Sequence, residues 1–310
     1  MRLHHLLTAA AVFASGAAVS ASPLYSENFE VDPTANWTVN GGPSDEAADF
    51  FFDYGSVGIP SAPNSGGTTR GMKLQANLAS GIFGGFSVSP TGQNFSGDYT
   101  VRFDWWANFN GPFPGGGSGS TNLSTYGIGT SGTVAQWPGG VQDSVWFAAT
   151  GDGGSSADYR AYSTAAPTSY GDGNPVYAFT TRNNSNAYFA ALGNVPAPVA
   201  QLTLFPQQTG NTAVGSAGMT WHDVEITKLG NAITWKLDGL LMATIDTNTV
   251  TLGGGNIFFG HSDINAGSST DPNAPALLFT LIDNVRVEVV PEPTSLSLLA
   301  LGTLALRRRR

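Results

Sequence analysis

The feature that most constrains this chain is the side-chain alternation across residues 221–289. In WHDVEITKLGNAITWKLDGLLMATID the apolar positions are Val224 and Ile226, then Ile233, Trp235 and Leu237, then Leu241, Ala243 and Ile245. A period of two puts each set on one face of a strand. Leu229-Gly230-Asn231 interrupts the first pair, and Asp238-Gly239 interrupts the second at the spacing of a tight hairpin turn. Three successive antiparallel strands follow. Residues 276–289 hold Leu278, Leu281, Ile282, Val285, Val287 and Val289 and read as a closing strand.

The rest of the chain is consistent with this. Within 98–109, Tyr99, Val101, Phe103 and Trp105 alternate with Thr100, Arg102 and Asp104, which sets Arg102 and Asp104 on the face opposite the core. Shorter strands are expected near 24–30, 37–39, 50–54, 72–78, 82–88, 123–128, 145–150, 158–163, 176–181 and 187–190. Gly, Pro, Asn and Asp separate them. Residues 111–119 are a glycine and proline turn that cannot be a strand interior, and 195–218 reads as a loop. No segment offers a helix of three turns in the body. The expectation is an all-β, antiparallel two-sheet sandwich over 22–290 as a single domain, its first and last strands side by side.

Composition narrows the function classes. The 310 residues contain no cysteine, which excludes disulfides, thiolate chemistry and cysteine-based metal sites. Setting aside Arg2, Glu292 and Arg307 to Arg310 leaves 21 acids against 8 bases, with no basic run to hold a phosphate backbone. Nucleic acid is therefore excluded as a partner. Seven Trp and 18 Phe supply a core large enough to dispense with cross-links.

Both ends carry routing signals. Residues 1–21 open with Arg2, His4 and His5, continue with an apolar run over 6–19 and finish Val19-Ser20-Ala21. This is the pattern of a secretory signal peptide forming an N-terminal signal helix, cut by signal peptidase after Ala21. At the other end Pro291-Glu292-Pro293 precedes an apolar run over 296–306 and then Arg307, Arg308, Arg309 and Arg310. Eleven helical residues span roughly 16 Å against a hydrocarbon core of roughly 30 Å, so the expected short C-terminal hydrophobic helix makes transient membrane contact rather than a permanent anchor. The arginines would hold it at the cytoplasmic side.

This three-part tail over 291–310 resembles the PEP-CTERM sorting signal of Gram-negative-type bacteria. The resemblance implies processing by an exosortase near Pro291 to Pro293, export to the cell envelope or surface, and an association with extracellular polysaccharide or biofilm. The body, through Trp221-His222-Asp223-Val224-Glu225-Ile226, Thr234-Trp235-Lys236-Leu237-Asp238-Gly239 and Leu281-Ile282-Asp283-Asn284-Val285, resembles the concanavalin A-like lectin and glucanase superfamily, the laminin G-like jelly rolls in particular. A galactose-binding-like jelly roll shares the closing-strand pattern and is the alternative fold.

Candidate chemistry is sparse. The spaced carboxylate motif of the superfamily's glucanases does not occur, and Asp223 with Glu225 lacks a third acid. His222 and His261 have no nucleophile motif around them, although His261 with Asp263 could form a small polar site. No catalytic residue is assigned. No cofactor is assigned, and structural calcium is the better-motivated cation: Glu27, Glu30 and Asp283 would meet if the terminal strands pair, as a carboxylate from the opening strand and one from the closing strand do in many extracellular jelly rolls, the alternative being that Asp283 caps a turn or bonds the neighbouring backbone. For a glycan ligand, Trp106, Trp137 and Tyr162 are the expected stacking rings, Trp106 because adjacent strand residues face opposite ways. The leading reading is a noncatalytic surface protein that binds or contributes to extracellular polysaccharide. A glycan-active hydrolase or lyase and a purely structural envelope protein are the alternatives.

Overall fold

The computed structural model describes residues 22–290 except 42–44, 80, 167, 265 and 266. In chain order its strands are β1 (Tyr25–Glu27), β2 (Trp37–Asn40), β3 (Ala47–Asp53), β4 (Arg70–Gln75), β5 (Gly85–Pro90), β6 (Tyr99–Asn108) and β7 (Asn122–Thr130). There follow β8 (Val145–Thr150), β9 (Tyr159–Tyr162), β10 (His222–Leu229), β11 (Ala232–Leu237), β12 (Leu240–Asp246), β13 (Asn256–Asp263) and β14 (Phe279–Val289). They form two antiparallel sheets of a jelly-roll sandwich. The first runs β12-β11-β10-β6-β14-β4-β3, and the second runs β2-β5-β13-β7-β8-β9.

The alternation in 221–289 becomes the meander β10-β11-β12. Its second turn is the Asp238-Gly239 pair with φ of 50° and 78°, a double left-handed conformation that glycine adopts without a Cβ penalty and Asp tolerates. One side chain departs from the pattern. Trp235 pairs with Ala243 but Lys236 pairs with Leu241, so Met242 is an extra residue in β12. The bulge turns Leu241 out to solvent and Met242 into the core.

Between the sheets Phe103 meets Phe259 edge-on at 4.9 Å and Trp235 stacks on Phe147 at 5.1 Å. Each large side chain buried there removes apolar area worth about 2–3 kcal/mol, which is how the fold holds without disulfides. A second cluster, including Trp106, Phe109, Phe279 and Leu281, lies on the outer face of the first sheet beneath Tyr54, Ile59 and Ala197. A third, with Trp146, Tyr162 and Phe258, lies on the outer face of the second sheet. Both outer faces are thus covered in part by loops.

The terminal strands are neighbours, β1 pairing with β14 as Tyr25 to Val287 and Glu27 to Val285. On the same flank of β14, β4 pairs with Thr280, Leu281 and Ile282. Two short strands therefore share one edge end to end, and Asp283-Asn284 fills the junction. Asn284 has a φ of 53°, and the β14 to β6 register shifts between Asp283 and Arg286.

Three expectations need correcting. The segment 176–181 makes only an isolated bridge, Tyr177 to Ala243, and 187–189 is a single helical turn whose Asn186 side chain accepts from Tyr188 N–H. Neither has a partner strand with which to form a ladder. The N-terminal signal helix and C-terminal hydrophobic helix expected beside the sandwich are also not found among the described residues. Among the described residues no helix is long and apolar enough to cross a membrane. The α-helices are α1 (Val199–Leu204) and α2 (Ala274–Leu277). Residues 1–21 and 291–310, on which the two expected helices fall, lie outside the described residues.

Candidate functional site

Of the three expected stacking rings, the structure leaves one accessible. Trp106 is 1 % exposed, with Tyr54 and Trp221 forming part of its cover, and its indole N–H donates to Asn108 Oδ1 at 3.0 Å. Alternation did turn it away from the central core, but the loop layer on that side buries it again. Tyr162 is 2 % exposed and lies parallel to Trp146, with ring centroids 3.7 Å apart. Gly127 contributes to that arrangement, since a Cβ there would collide with Trp146 and Phe258. Both rings belong to packing.

Trp137 is different. The turn Trp137-Pro138-Gly139-Gly140 closes with Gly140 N–H donating to Trp137 C=O at 3.0 Å. Gly139 and Gly140 lie flat against the indole, where any Cβ would clash. The loop is fixed to the second sheet by Gln136, whose N–H donates to Ser87 Oγ at 3.0 Å and whose Oε1 accepts from Ser144 Oγ at 2.7 Å. Trp137, half-buried, meets Phe83 edge-on at 5.6 Å, and Phe83 is 43 % exposed. Phe83 was not anticipated from sequence. Its signal is a lone aromatic set among Gly81, Gly84 and Gly85.

The terminal carboxylates are only partly brought together. Asp283 is fully buried; its Oδ2 accepts from Tyr54 O–H at 3.0 Å and its Oδ1 from Asn284 N–H at 2.7 Å. Beside it Asp104 accepts from Asn64 Nδ2 at 2.8 Å, Asn64 N–H at 3.1 Å and Asn284 Nδ2 at 2.8 Å. Burial, helped by the charges of Asp104 and Glu30 and opposed by the Tyr54 and Asn284 bonds, pushes the Asp283 carboxyl up to about 7. Glu30 lies close enough to contribute that charge, and its Oε1 is buried without a hydrogen-bond partner. Glu27 instead caps its own chain, accepting from Phe29 N–H at 2.8 Å. Among the described residues no group of three or more His, Cys, Asp or Glu is placed to hold a metal ion. The expected calcium set of Glu27, Glu30 and Asp283 is therefore not assembled, because the local turn at Phe29 claims Glu27.

The other weighed residues are similarly engaged. Asp223 and Glu225 both pair with Arg102, and Glu225 also with Lys236 at 2.9 Å. With Asn64, Asn284 and Arg286, Arg102 and Asp223 line a shallow depression of about 240 Å³. His222 is sealed in, with Nδ1 2.6 Å from Asp238 Oδ2 and Nε2 2.8 Å from the Ala217 carbonyl. His261 is buried against Thr280 Oγ1 at 2.8 Å, and burial lowers its ring to about 3. Asp263 is also fully buried. Burial, with the charge of Asp45, raises its carboxyl to about 8.

Comparison with known proteins separates the tail from the body. Residues 289–310 match the PEP-CTERM protein-sorting motif, which directs a chain to the cell envelope or surface. No curated protein matches the chain. Among solved structures it is similar to a Bacillus subtilis protein of unknown function with a galectin-like fold, at 10 % identity and a TM-score of 0.46, over 87 % of this chain and 96 % of that one. It is also similar to the carbohydrate-binding module CBM66 from Bacillus subtilis, at 9 % identity and 0.41, over 82 % and 95 %. The calcium- and mannose-bound lumenal domain of VIP36 is similar at 10 % and 0.43, over 84 % and 85 %. At these TM-scores none of the three bears on the ligand of this chain.

Proposed function

We propose that this PEP-CTERM-tagged surface protein is a noncatalytic sandwich that binds extracellular polysaccharide through the Phe83 and Trp137 rings. The accessible, rigidly mounted ring pair carries the reading. A pyranose presents an apolar face that an aromatic ring can cover at little entropic cost, and the pair offers two such surfaces beside β5 of the second sheet. The tail motif supports removal of the C-terminal segment near Pro291 to Pro293 by an exosortase-like enzyme, with transient membrane contact while the tail persists; a leader would be removed by signal peptidase after Ala21.

The test is co-sedimentation of the exported protein with the polysaccharide of the producing cells. Trp137→Ala and Phe83→Ala are each expected to lower retention at least about tenfold, consistent with the 1–3 kcal/mol seen for ring stacking on planar ligands, while melting stays unchanged. Wild-type protein that fails to sediment with the polymer, or both variants sedimenting like wild type, would discard the proposal. Hydrolase or lyase chemistry is the weaker reading, because Asp223 and Glu225 are ion-paired to Arg102 on an open sheet face rather than held across a cleft.

A further inference from the structure

At the rim where β13 ends, four side chains carry buried oxygens that no donor among the described residues meets. Asp263 has neither carboxylate oxygen hydrogen-bonded and is fully buried. Asp45, 6 % exposed, leaves Oδ1 unpartnered, and its Oδ2 accepts only from Leu78 N–H at 3.2 Å. Asn77 and Asn122, both more than nine-tenths buried, each leave Oδ1 unpartnered. Their amide nitrogens are spent on consecutive carbonyls, Asn77 Nδ2 donating to Gly119 at 3.1 Å and Asn122 Nδ2 to Ser120 at 3.2 Å.

These residues are linked through neighbouring backbone. Asn122 stands opposite Asp263 in the β7 to β13 pairing, and Asn77 precedes the residue whose N–H binds Asp45. Asn77 and Asn122 are joined through the adjacent 119 and 120 carbonyls. The Asp263 N–H is itself used by the Gly84 carbonyl, which fixes the strand end against β5. Five buried oxygens from four side chains, two of them carboxylates, are thus without a hydrogen-bond partner, and Asp45 lies near enough to Asp263 for its charge to act on that carboxyl. Among the described residues neither carboxylate is paired with a Lys, Arg or His.

Buried acceptors without donors are costly, and buried carboxylates without a counter-charge more so. A protein donor would have been the simple remedy, as it is around Asp104. An all-acceptor set of hard oxygens is instead complementary to a bare cation. We infer that Asp45, Asp263, Asn77 and Asn122 form a calcium site, distinct from the terminal-strand carboxylates. Calcium suits it better than magnesium, because calcium takes six to eight oxygens in flexible geometry, whereas magnesium demands a near-ideal octahedron and keeps its water. Two carboxylates and two amide oxygens place the affinity in the class of extracellular modules, roughly 0.1–1 mM.

The exported protein, purified and stripped with EGTA, is titrated with calcium chloride by calorimetry and by thermal melting. Wild type should bind one ion per chain and melt about 3–10 °C higher at about 10 mM calcium, as expected from ligand linkage for a chain of this size. Asp263→Asn and Asp45→Asn, each close to isosteric, should weaken binding at least about tenfold and remove the melting rise. Asp283→Asn should keep it. The inference is overturned if wild type shows neither heat nor a melting rise, if both rim variants respond like wild type, or if Asp283→Asn alone loses the response. Two rim variants are used so that poor folding of one still leaves a reading from the other.

Discussion

Two groups of buried acids, one at the middle of β14 and one at the rim where β13 ends, resolve the same electrostatic problem differently. Around Asp104 and Asp283 the chain supplies donors: the Tyr54 hydroxyl, the Asn284 amide and backbone, and the Asn64 side chain and backbone. Around Asp45 and Asp263 it supplies only backbone, the Leu78 N–H to Asp45 and a weak interaction of the Gly84 backbone with Asp263. Internal donors make the first cluster part of the framework, tying the loop at 54–64 to β6 and β14. The second cluster is left with charge and lone pairs to spare, which is a property of a binding site more than of a joint.

That contrast can be broken by experiment. The largest effect is expected from pH. Because the folded Asp283 carboxyl is raised to about 7 against an unfolded value near 3.8, the native state binds the extra proton between these limits. The Asp283 contribution to stability therefore falls as pH rises from about 4 to 7, by an amount on the order of 4 kcal/mol, alongside a contribution of the same sign from Asp263 and one of opposite sign from His261. Denaturant melts of EGTA-treated protein should show this change in the stability difference between wild type and Asp283→Asn across that pH range. An unchanged slope in that variant would remove Asp283 from the account.

Next, Asp104→Asn should cost about 2–3 kcal/mol, since an amide nitrogen would face the donors of Asn64 and Asn284. Asp263→Asn, in calcium-free buffer, should cost less than about 0.5 kcal/mol because no donor is left facing it. Equal losses would erase the distinction between the two clusters. Tyr54→Phe comes third, at about 2 kcal/mol, for it strips a donor from Asp283 and an acceptor from the Ala62 N–H. The smallest effect is on stability in Trp137→Ala, under about 0.5 kcal/mol by melting, because the ring lies outside the three buried clusters.

The amino-acid sequence disclosed the sandwich far better than it disclosed either cluster. Period two in 221–246 is a local property, so β10, β11 and β12 could be read directly, and only the bulge at Met242 escaped. Neighbouring first and last strands were likewise legible. Trp106 and Tyr162 were misjudged because alternation assigns a side chain to a sheet face and says nothing of whether a distant loop covers that face. Asp104 shows the same effect, lying away from the central core yet 1 % exposed. Asp45, Asn77, Asn122 and Asp263 span more than half the chain, and their meeting depends on strand register and on the path of the 119–120 segment. No short-range pattern encodes that. Glu27 failed for the opposite reason, since a turn two residues long captured it before any distant partner could.

The pairing of β1 with β14 also sets where the ends of the chain lie. Leu24 N–H donates to the Val287 carbonyl at 2.7 Å, so the chain enters and leaves the sandwich at one pole. From there β14 runs eleven residues to Phe279, roughly 35 Å at strand rise, and ends beside the rim that holds Asp263. Phe83, one residue before the Gly84 carbonyl that binds Asp263 N–H, lies at that far pole too. The rings and the acid rim therefore lie at the pole opposite the one where the chain enters and leaves the sandwich.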